Sequence, residues 1–314
     1  MLKLESVSKV YKVGTFGGKE LRAVNNVSFD IKDCEVVSLI GESGSGKSTI
    51  GKMILRLISI TSGNIIFDGD NITSLKNESL KEYYRKVQGV FQDPFSSYNP
   101  IFKADRVFSI IRDEFYPQMA NQEWNKKVDN SLSTVGLNPD IVLNKYPHQL
   151  SGGQLQRLLI ARALLLDIQF LVADEIISML DASTRIDVLN LLADLKTKGL
   201  SILFITHDLS LSYYISERAV ILYRGNVVEM GATENIFYHS LHPYTKMLMV
   251  SVPRLDMKWQ KSIEIPKDQG NPPGSCPYFD RCDATEKTEL CAKNPPPLVQ
   301  VDDDHYVACF GYKP

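Results

Sequence analysis

Short apolar runs alternate with longer stretches of helical periodicity through most of the chain. Three of these runs, rich in β-branched residues, end at once in glycine or in an ionisable side chain: residues 35–40, 170–173 and 201–206. Their alternation with helical stretches such as residues 185–196 predicts a largely parallel sheet covered by helices on both faces. Functional side chains of such sheets collect at the carboxyl ends of the strands, so the polar residues that follow the three runs are the first candidates for a site.

Two stretches depart from this pattern. Residues 93–163 are mainly helical and richer in polar and aromatic residues, which predicts a helical subdomain inserted into an α/β core. Residues 264–314 contain eight of the 15 prolines and four of the five cysteines, too many breakers for a helical or sheet core. We therefore expect one main domain over residues 1–250 and a small irregular extension over residues 251–314, with the boundary near 250–265.

Composition narrows the class of function. The 314 residues carry a net charge of −2, and the pI is near 6.2, so no basic surface predicts binding to nucleic acid. The beginning of the chain lacks a signal-peptide pattern, and no run of about 18 apolar residues appears. We expect a cytoplasmic protein without disulfides, which reaches a membrane only by docking onto separate membrane-spanning subunits.

The most specific motif directly follows the first apolar run. GESGSGKST at residues 41–49 matches the phosphate-loop pattern G-x-x-x-x-G-K-S/T between a predicted strand and a predicted helix. Glycines let the loop wrap so that backbone N–H groups face phosphates, Lys47 would reach the β- and γ-phosphates, and Ser48 would bind magnesium. An ordinary glycine-rich turn is the alternative. The candidate ATP-binding residues here are Gly41, Ser43, Gly44, Ser45, Gly46, Lys47, Ser48 and Thr49.

Candidate catalytic residues follow the other strands. Asp174 would enter the magnesium shell and Glu175 would orient or deprotonate water, although solvated capping acids would give the same pattern. His207 would hydrogen-bond the γ-phosphate and the attacking water, or is structural, as a lone histidine usually is. Gln92, in VFQDP, would ligate magnesium or contact the water, and a polar residue at a helix start explains it equally well.

A second anion site is indicated by LSGGQ at residues 150–154, where Ser151 and two glycines open a helix. This pentapeptide resembles the signature of ABC ATPases, and it lies between a phosphate loop and a carboxylate strand, as in that family. The resemblance extends over roughly residues 1–250. It implies a dimer in which each ATP is held between the phosphate loop of one subunit and the signature of the other, here Ser151, Gly152, Gly153 and Gln154.

The resemblance also strengthens the roles of the strand-end residues. Tyr11 resembles the family's adenine-stacking aromatic, with an ordinary strand tyrosine as the alternative. Asp181 resembles a residue of the loop that communicates between the two ATP sites, and it could equally cap the next helix. The family usually has proline after the catalytic glutamate; Ile176 stands here and would leave the position of Glu175 looser. Because Glu175 itself is present, we still expect hydrolysis.

Two segments resemble one branch of this family, the peptide and nickel importers: FQDPFSSYNP at residues 91–100 and HPYT at residues 242–245. The resemblance implies an ATP-hydrolysing subunit that powers uptake of small peptides, with oligosaccharides or nickel as alternative solutes. The implied partners are a sister ATPase, two transmembrane permease subunits docked near residues 91–100, and indirectly an extracellular solute-binding protein. The subunit would lie at the cytoplasmic face of the membrane.

Four cysteines cluster in the extension: Cys276, Cys282, Cys291 and Cys309. Their spacing lacks the close pairs of structural zinc sites and fits neither common ferredoxin pattern, so zinc, an iron–sulfur cluster and free thiols all remain open. Resemblance to the extension of the importer branch, in which an iron–sulfur cluster is known, favours a 4Fe–4S cluster. Cys34, alone in the main domain, is interpreted as a packed apolar thiol.

Two other classes of protein share parts of this pattern. Soluble ABC ATPases of DNA repair or translation typically carry two cassettes or long coiled coils, and this sequence has neither. A phosphate-loop kinase or GTPase would leave LSGGQ unexplained, and no acceptor-site or base-recognition motif is visible.

Overall fold

The computed structural model describes residues 2–14, 18–251, 272, 274–283 and 287–312. The domain boundary expected near residues 250–265 falls mostly outside the described residues, so it stays a prediction. Strands span Leu2–Val13 (β1), Lys19–Ile31 (β2), Val36–Ile40 (β3), Ser62–Phe67 (β4), Asp70–Asn71 (β5), Val87–Val90 (β6), Phe170–Asp174 (β7), Ser201–Thr206 (β8), Arg218–Tyr223 (β9), Asn226–Ala232 (β10), Val299–Asp302 (β11) and His305–Val307 (β12).

Helices connect or follow most of these strands. They span Lys47–Ile54 (α1), Asn77–Lys86 (α2), Arg106–Phe115 (α3), Asn121–Thr134 (α4), Pro139–Val142 (α5), Gly152–Leu164 (α6), Ala182–Thr197 (α7), Leu209–Ile215 (α8), Thr233–Tyr238 (α9), Pro243–Val250 (α10) and Glu289–Lys293 (α11). Among the described residues, no helix has the length and apolar composition needed to cross a bilayer. The chain divides into two compact units, residues 1–73 with 204–314 and residues 74–203.

The first unit contains two groups of strands. One sheet has the order β2-β1-β4-β5 with antiparallel pairing throughout. The other strands run in the order β11-β12-β10-β9-β3, where only the β3–β9 pair is parallel. The apolar residues of β3 and β9 are buried on both faces, which is why these strands read as continuous hydrophobic runs.

The α/β fold class predicted from the sequence is confirmed, but the expectation of a largely parallel sheet is too simple. Strands β9 and β10 are joined by Arg224 and Gly225 alone, and both have positive φ, 44° and 77°. A two-residue turn of this kind forces antiparallel pairing, because a parallel crossover needs a much longer connection. The apolar runs on which the expectation rested do not reveal this turn.

Two short strands lie in the part of the C-terminal extension that the structure describes. Strands β11 and β12 form a short hairpin, and β12 pairs with β10 through Glu229↔Val307 and Gly231↔His305. Glu229 is fully buried and binds this hairpin directly, since its Oε1 lies 2.8 Å from His305 Nε2. The hairpin adds two short strands to the edge of the main domain rather than forming a core of its own, and the three prolines at 295–297 precede the edge strand, where a missing N–H does no harm.

The second unit is built around helices and one pair of parallel strands. Strand β6 pairs with β7, from Val87↔Phe170 to Val90↔Ala173. The predicted mainly helical stretch, residues 93–163, contains α3, α4 and α5 and nearly all of α6. Helices α4 and α6 pack together, and the buried Ser131 hydroxyl donates to the Ala161 carbonyl at 2.6 Å.

Cys34 contradicts the prediction of a packed thiol. It lies in the turn between β2 and β3, is exposed, and has φ 56°. The tight turn directs the Cys34 side chain toward solvent. The hydropathy of the flanking strands does not reveal this direction.

Candidate functional site

The glycine-rich loop occupies the six residues between β3 and α1. Gly44 and Gly46 have φ of +80° and +107°, a region that side chains with a Cβ rarely adopt. A Cβ on Gly46 would lie 2.5 Å from the Ala23 carbonyl oxygen, and one on Gly41 would lie 2.2 Å from that of Leu222. At both glycines the backbone therefore passes too close to its neighbours for a residue with a Cβ. The loop leads into the N-terminus of α1, and a helix N-terminus favours anions.

Lys47, the first residue of α1, is 95% removed from solvent, with 5% exposed. Its Nζ donates to the carbonyl oxygens of Gly41 at 2.6 Å and Glu42 at 3.0 Å, so the ammonium group is held inside the loop. Ser45 is buried as well, and its N–H donates to Glu42 O at 3.1 Å. Ser48 and Thr49 are half-buried in the first turn of the helix, and Ser43 is exposed at the tip of the loop. The loop has the ammonium group and hydroxyls that a triphosphate with a divalent cation requires.

Two other candidates belong to the same unit. Tyr11 lies on β1, opposite Leu21 of β2, with its ring half-buried and the Lys9 ammonium 5.0 Å from its centroid. His207 is exposed just past the end of β8. The turn after it is fixed, because the Asp208 N–H donates to Thr206 Oγ1 at 3.0 Å and its carboxylate caps α8.

The second unit brings the predicted acid and amide residues to one edge. Gln92 lies two residues beyond Val90 and Glu175 two residues beyond Ala173, and Val90 and Ala173 are partners in the parallel β6–β7 pair. Asp174 is 7% exposed, whereas Gln92 is exposed. Parallel strands thus place an amide, a buried carboxylate and a second carboxylate at the same end of the pair.

Glu175 has a left-handed backbone, with φ 51°, which is unusual for a residue with a side chain. Its carbonyl accepts hydrogen bonds from the N–H of Ser178 at 3.1 Å and from the Ser178 hydroxyl at 2.9 Å. Ile176, where the family usually has proline, is 1% exposed and packs into the core. The turn is therefore held by a buried aliphatic side chain and two hydrogen bonds. The looser Glu175 expected from the missing proline stays a prediction.

The LSGGQ segment forms the start of α6. Ser151 is the N-cap, and it exchanges hydrogen bonds with Gln154 in a capping box, at 3.2 Å and 2.9 Å. Gly152 and Gly153 follow in the first turn, and a Cβ on Gly153 would lie 2.6 Å from Thr184 Cγ2 of α7. Glycine thus allows α6 and α7 to approach closely at their N-termini.

Asp181 caps α7 beside this segment. Its carboxylate accepts from Thr184 N at 3.0 Å and from the hydroxyls of Ser183 and Thr184 at 2.7 and 2.8 Å. These hydrogen bonds hold the pKa of Asp181 well below its usual range, with the Thr184 N–H the largest contributor. A cavity of about 340 Å³ beside the two N-termini is lined by Ser151, Gly153, Gln154, Arg157 and Thr184, among others. The signature and the predicted communication loop are therefore neighbours.

The four cysteines of the extension line a single narrow apolar pocket, together with Tyr278, Phe279, Phe310 and His242. The Cys276 N–H donates to the Cys291 carbonyl at 2.8 Å, and burial raises the pKa of the Cys276 thiol to about 11. Among the described residues, no three His, Cys, Asp or Glu side chains stand close enough to hold one metal ion. The four thiols are the candidate ligands of the iron–sulfur cluster that the sequence resemblance implies, and both this cluster and the alternative zinc ion stay predictions.

The sequence did not show that three residues meet at the loop: Glu42, Arg281 and Tyr244 of the HPYT segment. The Arg281 guanidinium contacts both carboxylate oxygens of Glu42, at 2.9 and 3.0 Å, across 239 positions of sequence. No local pattern marks such a pair. The only signal was that Arg281 immediately precedes one of the four clustered cysteines.

A buried strand that ends in a glycine-rich loop, a buried lysine and a helix N-terminus define the class of phosphate-loop nucleotide-binding proteins. Two family models match this chain: "ABC transporter" over residues 24–178, and "Oligopeptide/dipeptide transporter, C-terminal region" over residues 228–291. The chain belongs to the ABC transporter ATPase family, in the group that carries the oligopeptide/dipeptide C-terminal region. This confirms the resemblance to ABC ATPases inferred from LSGGQ and the resemblance to the peptide and nickel importer branch inferred from residues 91–100 and 242–245.

Several relatives match over nearly the whole chain. Oligopeptide transport ATP-binding protein AppF of Bacillus subtilis is 38% identical, over 99% of this chain and 97% of that protein. Oligopeptide transport ATP-binding protein OppF of Haemophilus influenzae is 37% identical, over 92% and 89%. Among solved structures, the dimeric ATP-binding cassette MJ0796 bound to ADP and Pi is 32% identical with a TM-score of 0.67, over 74% of this chain and 99% of that chain.

Proposed function

We propose that this ABC ATPase is the subunit that powers uptake of small peptides across the cytoplasmic membrane. The observation that carries the proposal is the C-terminal region at residues 228–291, which follows the ATPase core and matches the oligopeptide/dipeptide transporter model. The printed names of AppF and OppF, both oligopeptide transport proteins, support the same solute class. Peptides are favoured over oligosaccharides and nickel on this ground.

The phosphate loop binds the ATP triphosphate in this proposal. Lys47 contacts the β- and γ-phosphates, the loop N–H groups and the helix N-terminus supply further donors, and Tyr11 stacks on the adenine. The N-terminus of α6, with Ser151 as its cap and Gly152, Gly153 and Gln154 in its first turn, forms the second phosphate site, which serves the ATP of a partner subunit. The dimeric cassette MJ0796 with ADP and Pi supports this arrangement. A non-identical sister ATPase is the proposed partner.

Hydrolysis needs positioning and electrostatics more than covalent chemistry. Ser48, Gln92 and Asp174 are the proposed ligands of Mg²⁺, which neutralises charge on the phosphates when bound. Glu175 orients and deprotonates the attacking water, and His207 hydrogen-bonds the γ-phosphate. The coincidence of the β6 and β7 strand ends supports the grouping of Gln92, Asp174 and Glu175.

Transmembrane permease subunits dock, in this proposal, on the segment at residues 91–100 and the residues just after it. The support is a set of exposed apolar side chains in and just after that segment: Phe95 is 48% exposed, Ile101 75% and Phe102 41%. Large side chains this exposed in close succession indicate an interaction site. Docking places the subunit at the cytoplasmic face of the membrane, with an extracellular solute-binding protein delivering the peptide to the permeases.

The C-terminal pocket is proposed to hold a 4Fe–4S cluster on Cys276, Cys282, Cys291 and Cys309. Such a cluster, when bound, supplies a redox-active and structural cross-link among these loops. The supporting observation is that all four side chains line one apolar pocket. Cys276 is buried and the other three cysteines are half-buried, which limits the access of water to the sulfur atoms.

Uptake by proteoliposomes that contain the ATPase pair and both permeases tests the solute class. With the binding protein present, a labelled tetrapeptide should enter only when ATP and magnesium are inside the compartment that faces this subunit. A nickel chelate and an oligosaccharide serve as competing solutes. Uptake of either one instead of the peptide would overturn the peptide assignment, and ATP hydrolysis without any dependence on permeases would favour a non-transport ABC ATPase.

The role of Glu175 has its own test. Glu175→Gln should bind ATP normally and accumulate as a closed, ATP-loaded dimer, because the amide cannot accept the proton of the attacking water. Size-exclusion chromatography with ATP and magnesium measures the dimer, and Glu289→Gln in the extension is the matched control. Unchanged turnover in Glu175→Gln would refute the assigned role.

Anaerobic purification followed by absorption spectroscopy and iron analysis tests the cluster. We expect a brown protein with about four irons per chain. Cys291→Ser should lose the colour, whereas the exposed Cys34→Ser should keep it. Colourless, iron-free wild-type protein would remove the cluster and leave the ATPase assignment intact.

A further inference from the structure

The cysteine-bearing segment of the extension is tied directly to the phosphate loop. Arg281 forms a two-point ion pair with Glu42, from Nη1 to Oε2 at 2.9 Å and from Nη2 to Oε1 at 3.0 Å. Glu42 is the second residue of the loop, and Arg281 belongs to the short turn that ends at Cys282. Two-point arginine–carboxylate pairs fix orientation as well as distance, because the guanidinium fork matches the carboxylate.

The guanidinium is held in place by its own surroundings. The Arg281 side chain is only 9% exposed, and its charge centre lies 5.7 Å from the ring centroids of both Tyr223 and Tyr278. These rings pack with Tyr244, which is fully buried, at centroid distances of 4.6 and 5.5 Å. Three packed aromatic rings from β9, α10 and the extension thus restrict the position of the Arg281 guanidinium.

Glu42, which Arg281 holds in place, also contacts other groups of the loop through its backbone. Its N–H donates to the Tyr244 hydroxyl at 3.0 Å, while its carbonyl accepts from Lys47 Nζ at 3.0 Å and from Ser45 N at 3.1 Å. The side chain, N–H and carbonyl of one residue therefore join Arg281, Tyr244 and Lys47. A shift of Glu42 would move the anchor of the lysine that reaches the phosphates.

We propose that Arg281 and Tyr244 are positioning residues for ATP binding: by holding Glu42 they preset the phosphate loop and Lys47, so the C-terminal extension sets nucleotide affinity. This inference rests on the proposed role of the loop in ATP binding. It assigns to the extension a direct function in the nucleotide site, whatever the state of its cysteines.

A purely electrostatic effect predicts the opposite sign for one variant. If Arg281 acts only as a nearby positive charge, then Glu42→Gln removes a negative charge near the triphosphate and should tighten ATP binding. If Arg281 instead holds Glu42 in place and thereby positions the loop, then Glu42→Gln loses the two-point ion pair and should weaken ATP binding. The direction of change in this one variant therefore separates the two explanations.

The experiment measures the dissociation constant of ATP with magnesium for the full chain. Glu42→Gln, Arg281→Ala and Tyr244→Phe should each weaken binding, the first two by about fivefold, a size typical of residues that couple to a site without touching the ligand. Glu42→Gln combined with Arg281→Ala should be no weaker than the worse single variant, because both remove one contact. Arg281→Lys should restore part of the affinity, since it keeps the charge and loses the fork.

Matched controls separate this contact from a general loss of charge or stability. Glu35→Gln removes a carboxylate that pairs with Arg218 at 3.4 Å away from the loop, and Lys293→Ala removes an exposed cation of the extension. Both should keep ATP affinity within about twofold, because the described partners of these side chains, Lys32 N and Arg218 for Glu35 and Glu289 for Lys293, lie outside the loop. Circular dichroism checks the folding of each variant. Because the Glu42 side chain is partly exposed, we expect Glu42→Gln to fold even if Arg281→Ala does not.

Tighter ATP binding by Glu42→Gln, additive losses in the double variant, or equal losses in Glu35→Gln would each overturn the inference. Failure of the underlying function looks different. Lys47→Ala with wild-type ATP affinity would overturn the proposed role of the loop, whereas normal affinity in Glu42→Gln and Arg281→Ala beside a defective Lys47→Ala would sink only the positioning role.

Discussion

Replacing Gly46 by alanine should disrupt the phosphate loop through two separate effects. Gly46 has φ +107°, and a left-handed backbone costs an alanine about 1–2 kcal/mol. Its new Cβ would also stand 2.5 Å from the Ala23 carbonyl oxygen, a backbone atom that cannot rotate away. Relieving such overpacking costs about 1–3 kcal/mol, so the loop should lose about 2–5 kcal/mol of local stability and bind ATP at least about tenfold more weakly.

Gly69→Ala is the matched control for this variant. Gly69 has φ +90° in the turn between β4 and β5, and no atom lies within 4 Å of the Cβ position, so only the backbone cost of about 1–2 kcal/mol applies. Amide hydrogen exchange of peptides covering residues 41–54 and 64–72 measures each local opening free energy. ATP affinity should be unchanged in Gly69→Ala. Equal losses of local stability in the two variants, or normal ATP binding in Gly46→Ala, would refute the close approach to Ala23.

Two further predictions concern stability. Glu229→Gln should destabilise the first unit by about 2–3 kcal/mol, because the buried carboxylate accepts from His305, Leu241 N and His242 N, whereas an amide must turn a donor toward one of them. Urea unfolding measures this loss, with Glu234→Gln on the surface of α9 as the control. Equal unfolding midpoints of the two variants would contradict the prediction. Hydrogen bonds lower the folded-state pKa of Asp181. The charged cap therefore stabilises the folded state fully at a pH above the unfolded-state pKa near 3.9, and this stabilisation is lost as the pH falls through the lower folded-state pKa. The difference in melting temperature between wild type and Asp181→Asn should therefore shrink below about pH 4, and a constant difference would refute this.

The parts of the site that lie close together in sequence were predictable. The succession of β3, glycines and α1 is local, because a buried strand, glycines at positive φ and an amphipathic helix each leave their own pattern. Ser151 and Asp181 were recognisable as helix N-caps for the same reason, and the structure shows both side chains capping α6 and α7. Local chemistry of this kind is encoded within a few residues.

Long-range features were not predictable from one sequence. The Arg281–Glu42 ion pair joins positions 239 apart, and neither residue belongs to a pattern that names its partner. The left-handed backbone of Glu175 depends on Ser178 and on the burial of Ile176, which the absence of proline alone did not reveal. Cys34 was misread because a turn, rather than hydropathy, decides its exposure.

ATP hydrolysis by the reconstituted complex tests the central claim most directly. The ATPase pair and its permeases in lipid vesicles should hydrolyse ATP faster when peptide-loaded binding protein is added, and the increase should vanish with Glu175→Gln in this subunit. A rate that responds to neither permeases nor loaded binding protein, or that survives Glu175→Gln unchanged, would contradict the account of this chain as the ATPase that drives peptide import.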